Sequence, residues 1–199
     1  MLYQQLYEGI YNCILPKLKQ NLASDLTYHC ANHTIDVEKQ AVRIAKQESV
    51  TDGEDIFLLK VACLYHDSGF LKTYKEHEAA GCHLVREELP GFGLNNQQIE
   101  RICGMIMATK IPQTPHNKLE EIICDADLDY LGREDFFEIA ATLFLEWKSR
   151  FFIVDENEWI HVQFNFFKLH HYFTSSNKAL RGPLKLKHFK IIEDKLVAE

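Results

Sequence analysis

Apolar residues recur at helical spacing along most of this chain. Ile56, Leu59, Cys63 and His66 step by three and four, Ile99, Ile102, Cys103 and Ile106 do the same, and Val37, Ala41, Ile44 and Ala45 repeat it. Turn signals separate these segments: Thr51-Asp52-Gly53, Asp67-Ser68-Gly69, Pro90 to Gly93, Pro112 to Pro115, Gly132 and Gly182-Pro183. The pattern predicts helices at about 2–20, 32–49, 53–66, 77–89, 96–109, 117–131, 134–150, 156–174 and 177–196. Phe151-Phe152-Ile153-Val154 could form a short strand. No partner strand is evident, so helical continuation is preferred there.

A chain of 199 residues with this pattern is read as one all-α domain spanning 1–199, a compact bundle with no internal repeat and no linker. With 46% hydrophobic and 26% charged residues it can bury a sizeable core. The net charge of −7 leaves no basic stripe to release counterions, which excludes nucleic acid and anionic membranes as main partners. Six cysteines lie outside CxxC pairs and mostly inside apolar runs, where a free thiol acts as a small hydrophobe. The N-terminal stretch lacks a signal-peptide pattern, and no apolar run approaches the ~18 residues of a membrane span. A reduced, cytoplasmic protein is expected.

The ten histidines are the generous part of the composition. His66 continues the apolar face of its helix and so points inward, followed at once by Asp67. Asp125 follows Ile122-Ile123-Cys124 and is read as inward too. A buried carboxylate is costly unless it is paired or bound to a cation. Two inward His and two inward Asp can satisfy one another around a divalent ion, and such a donor set suits Mn, Fe, Mg or Zn.

The ordered set is more specific than its parts. His33-Thr34 with Val37, then Leu64-Tyr65-His66-Asp67-Ser68-Gly69, then Asp125-Ala126-Asp127-Leu128-Asp129 resembles the HD-domain superfamily of metal-dependent phosphohydrolases. The resemblance covers a core of about 25–135 and leaves a helical extension at about 136–199. It implies an all-α HD bundle with extra C-terminal helices, and His33, His66, Asp67 and Asp125 as metal ligands. Asp127 and Asp129 lie close to the fourth position. Residues i and i+4 share a helix face while i+2 does not, so Asp125 and Asp129 group together and Asp127 points elsewhere. Asp129 is then a carboxylate that orients a His ligand or a bound water, and Asp127 is open between the fourth ligand position and a surface or capping residue. Where some relatives carry further His ligands, this chain has Met107-Ala108, which favours one metal. His77, at a helix start, could protonate the leaving oxygen or contact phosphate. Lys110 could hold a phosphate as a point charge, or simply end its helix.

The function implied is hydrolysis of a phosphoester of a nucleotide or other small phosphorylated metabolite by metal-activated water. Asp67, His77, Asp129 and Lys110 would be the catalytic groups. A cyclic-nucleotide phosphodiesterase and a non-catalytic metal- or nucleotide-binding sensor are the rivals. Arg181 is read as solvated surface. The phenylalanines after residue 135 are read as core, or as a face for homo-oligomer formation. The sequence carries no GxSxG, P-loop, GxGxxG or HExxH pattern.

Overall fold

A computed structural model describes residues 2–197, so residues 1, 198 and 199 of the expected domain lie outside it. The described residues form α1 (Leu2–Asn21), α2 (Ala31–Gln47), α3 (Gly53–Tyr65), α4 (His77–Glu88), α5 (Asn96–Ala108), α6 (Lys118–Asp127), α7 (Phe136–Ser149), α8 (Glu156–Leu169) and α9 (Ser175–Val197). Three 3-10 turns (Ser68–Leu71, Leu89–Phe92 and Asp129–Gly132) complete the regular structure, and there is no strand among the described residues. The all-α expectation therefore holds.

Helix starts follow side-chain capping. Asp52 accepts from the backbone N–H groups of Glu54 and Asp55, and Asn117 does the same for Leu119 and Glu120. Asn95 and Gln98 form a reciprocal capping box at the head of α5. Two expected helices end early. The one expected at 117–131 stops at Asp127 and tightens into the 3-10 turn, and the one expected at 156–174 stops at Leu169. Phe151 to Val154 continue no helix: α7 ends at Ser149 and Phe151 has a φ of 58°. Gly182-Pro183 sits inside α9 instead of ending it.

Helix α3 is the centre of the larger apolar cluster. Its residues Phe57 to Leu59 and Val61 to Tyr65 are buried, because α1, α2 and α5 all pack against it. At about 25 cal/mol per Å² of apolar surface removed from water, such a helix is held by packing rather than by intrinsic propensity. A second, aromatic cluster lies under α7–α9, where Phe136, Phe167 and Ile192 meet Tyr28, Leu128 and Tyr130. Helix α9 reaches back to α2 and to the turn after α6. That approach demands Gly132: a Cβ there would stand 2.3 Å from the Arg181 carbonyl oxygen.

Candidate metal centre

His33 and His66 come together from α2 and from the end of α3, with their Nε2 atoms 3.4 Å apart. His66 Nδ1 lies 2.8 Å from the Cys63 carbonyl oxygen. A carbonyl only accepts, so Nδ1 donates to it and Nε2 is the nitrogen that faces the cluster. Asp67 Oδ2 stands 3.2 Å from His66 Nε2 and 3.6 Å from His33 Nε2. That oxygen is buried and has no hydrogen-bond partner. The fourth group is Asp127, whose Oδ1 is 3.1 Å from His33 Nε2 and 3.7 Å from His66 Nε2.

Charge in the cluster is unbalanced towards carboxylate. Burial opposes charging His66, yet the negative charge of Asp67, with Asp127 behind it, carries its pKa up to about 9. Burial pushes the Asp67 carboxyl up, but His66 and His77 hold it well below the ordinary range. His33, His66 and Asp127 could hold a metal ion, with one donor atom from each lying within 4.8 Å of the others. Asp67 Oδ2 stands outside that group of three but against both of its imidazoles, a buried and unpartnered oxygen. Two imidazoles and two carboxylates are a borderline-hard donor set that fits a divalent ion.

The fourth position differs from the sequence expectation. Asp125 faces away from the histidines. Its Oδ1 accepts from the Phe173 N–H at 2.8 Å, and its Oδ2 accepts from the Thr174 N–H at 2.9 Å and the Thr174 hydroxyl at 2.6 Å. Asp129 is likewise not free to orient a ligand or a water. It is 0% exposed and accepts from Arg43, Asn177 and Arg181. Asp125 and Asp129 do lie on one side, as the i, i+4 spacing predicts. That side is covered by α9 and its lead-in, with Arg43 of α2 reaching Asp129, while Asp127 alone faces the two histidines. Arg181, expected at the surface, is the cation that closes the Asp129 network, with Nη2 2.9 Å from Oδ2.

His77 is where a reacting group could use it. Its Nε2 is 3.4 Å from Asp67 Oδ1 and 3.5 Å from Glu78 Oε1, and its ring stacks on Phe70 with centroids 4.0 Å apart. Burial lowers its affinity for a proton, but Asp67 and Glu78 raise it by more. The position is locked by Gly69, where a Cβ would fall 1.8 Å from the His77 carbonyl oxygen. Lys110 lies at the rim of this side, paired with Glu76, the residue before His77. It is an exposed ion pair and not a buried phosphate clamp.

Two contributors were missed by sequence reasoning. Glu146, fully buried on α7, accepts from the backbone N–H groups of Tyr28 and His29, from the His29 ring and from the Tyr74 hydroxyl. It thereby fixes the segment that enters α2. Tyr28 lies against the His33 ring at a tilt of 35° with centroids 4.5 Å apart, and His29 lies against Phe70 at 4.4 Å. An acidic residue inside Leu143-Phe144-Leu145-Glu146-Trp147 was the available signal. All six cysteines are free, consistent with the reduced reading. No helix among the described residues is long and apolar enough to cross a membrane.

Comparison with known proteins bears on the fold and the family. No curated protein matches the sequence. Among solved structures, one described as a predicted HD superfamily hydrolase from an uncultured Thermotogales bacterium is similar with a TM-score of 0.61 and 18% identity. The match covers 96% of this chain and 91% of that one. A protein from Lactobacillus plantarum is similar with a TM-score of 0.65 and 17% identity, covering 96% and 99%. At these identities the likeness concerns the fold. The HD domain family matches residues 30–131, the stretch that supplies His33, His66, Asp67 and Asp127, and the chain therefore belongs to the HD-domain family.

Proposed function

We propose that the protein is a metal-dependent phosphohydrolase acting on a small phosphorylated metabolite. One divalent ion would be held by His33, His66, Asp67 and Asp127. The observation that carries this reading is Asp67 Oδ2, a buried oxygen without a hydrogen-bond partner beside two imidazole nitrogens. An unpaired buried carboxylate oxygen is too costly to keep unless a cation completes it.

When bound, the ion would act as a Lewis acid on a phosphate oxygen and lower the pKa of water towards ~7. The protein's own groups do the rest. Asp67 presents its second oxygen, Oδ1, towards His77 and is placed to accept a proton from the attacking water. His77 Nε2 is placed to give a proton to the leaving oxygen as the phosphorus–oxygen ester bond breaks. The new bond joins the water oxygen to phosphorus, and the products are inorganic phosphate, or a phosphomonoester from a diester, and an alcohol. Asp129 has no part in this, because its lone pairs are taken by Arg43, Asn177 and Arg181. Lys110 would act only as a rim charge, after leaving Glu76.

The test is elemental analysis of purified protein beside a panel of phosphomonoesters and diesters. About one divalent ion per chain, and turnover lost on chelation, is the expected result. Metal present with no turnover of any ester, and a nucleotide still bound, would instead indicate a sensor.

A further inference from the structure

A cavity of about 240 Å³ adjoins the candidate metal centre and is lined almost entirely by hydrocarbon. Leu128, Leu131, Phe136, Ala140 and Phe167 form its buried floor. Trp147, Trp159, Phe166 and Ile111 stand higher on its wall, and Ile111 is half exposed. Its polar side groups are few: Gln163, the imidazole of His29, the phenols of Tyr28 and Tyr130, and the indole N–H groups of Trp147 and Trp159. Glu146 already occupies His29 Nδ1.

This cavity borders the metal centre and shares lining residues with its pocket. Tyr28 and Tyr130 line both it and a second pocket of about 270 Å³ that contains His33 and Asp127. The two phenol rings, 5.5 Å apart between centroids, form the wall between the two spaces. On the other side, His29 lies on the cavity wall with its ring centroid 6.2 Å from both His33 and His77. Ile111 follows Lys110, whose partner Glu76 precedes His77.

We infer that this cavity binds the organic part of the substrate, and that this part is a hydrocarbon ring or chain rather than a sugar or nucleobase. The inference rests on the phosphohydrolase reading and narrows its substrate class. A nucleobase or sugar carries several donors and acceptors, and each one left unpaired in such a wall lowers affinity about five- to 150-fold. Hydrocarbon costs nothing there and gains about a factor of three to four in affinity per buried methylene. Size sets the limit. Engineered apolar cavities of about 150 Å³ accept benzene, so by proportion this one takes about nine carbons, a fragment and not a whole cofactor.

The experiment uses the intact metal-loaded protein with methyl, butyl and octyl phosphate, with glycerol phosphate and a nucleoside monophosphate as polar controls. kcat/KM is expected to rise about three- to fourfold per added methylene until the cavity is full. A flat series, or faster turnover of the polar controls, overturns the inference while leaving the hydrolase reading in place. Octanol supplies an arm that needs no turnover. Both tryptophans of the chain line this cavity, so intrinsic emission reports on it alone. Saturable, blue-shifted emission with octanol and none with glycerol supports the apolar site even if no ester is hydrolysed, the result that would sink the hydrolase reading. Absence of any octanol response overturns the site. Ala140→Leu, which fills the floor, should lower the octyl-to-methyl ratio of kcat/KM at least tenfold. Leu143→Phe does so from the neighbouring turn should the first variant fold poorly. An unchanged ratio in a folded variant overturns the assignment.

Discussion

Asp127 and its neighbours Asp125 and Asp129 have the same chemistry within five residues of sequence, yet they do opposite work. Asp127 faces two imidazoles and keeps partial access to solvent, with 15% of its side chain exposed. Asp125 and Asp129 face α9 and are fully buried among hydrogen-bond donors. One side of the α6 end is thus the candidate binding site and the other a staple. Burial alone does not mark the functional carboxylate. What marks it is an acceptor surrounded by other acceptors and lone pairs, where only a cation can balance the charge.

The contrast can be broken most directly at Asp127. Asp127→Ala should reduce metal affinity by more than about 100-fold, given that removing even a supporting hydrogen-bond partner of a ligand costs 10–100-fold. Helical content should be retained. Metal titration beside circular dichroism reads both, and full metal occupancy in the variant would remove Asp127 from the ligand set. The mirror experiment is Asp129→Ala. It strands Arg43 and Arg181 around a vacated buried position, and removing one partner of a buried pair costs about 3–5 kcal/mol. Denaturant unfolding should show that loss while the folded fraction still binds metal. Metal loss without destabilisation would reverse the two roles.

The elements that read clearly in the sequence are those whose geometry is set locally. His66 lies at the end of an apolar helix face, and its ring is fixed by a carbonyl three residues earlier. His33, Asp67 and the Gly69 turn follow from the same short-range pattern. The fourth ligand does not. The apolar run before Asp125 correctly signals burial, but α6 is buried on two sides. The groups that claim Asp125 and Asp129 are Thr174, Asn177 and Arg181, some 50 residues onward, and no periodicity in α6 encodes their arrival. The same holds for Glu146, whose partners at Tyr28 and His29 lie more than 110 residues earlier.

A gentler probe of the staple is Asp125→Asn. One amide oxygen can still accept, but the amide nitrogen then meets donors at Phe173 or Thr174. Leaving one such group unsatisfied costs about 1–3 kcal/mol. Metal stoichiometry should not change. Equal stability with lost metal would place Asp125 back at the site.

A last probe separates the two sides by pH. His170 caps the end of α8, and both its ring nitrogens are buried without partners. Burial, aided by the charge of Lys185, pushes its pKa down from 6.5 to about 3. The folded state therefore holds the ring neutral where the unfolded chain takes up a proton. Its contribution to stability is intact above pH 6.5 and is lost progressively as pH falls towards 3, at up to about 1.4 kcal/mol per unit. His170→Leu keeps an apolar group of similar size and removes the proton, so its stability should fall less steeply between pH 6 and 4. Urea midpoints of both proteins across that range give the difference, which isolates His170 from the histidines of the metal centre because those are common to both. Parallel slopes would show that the native site accepts the imidazolium, and would leave acid sensitivity to the ligand side of the molecule.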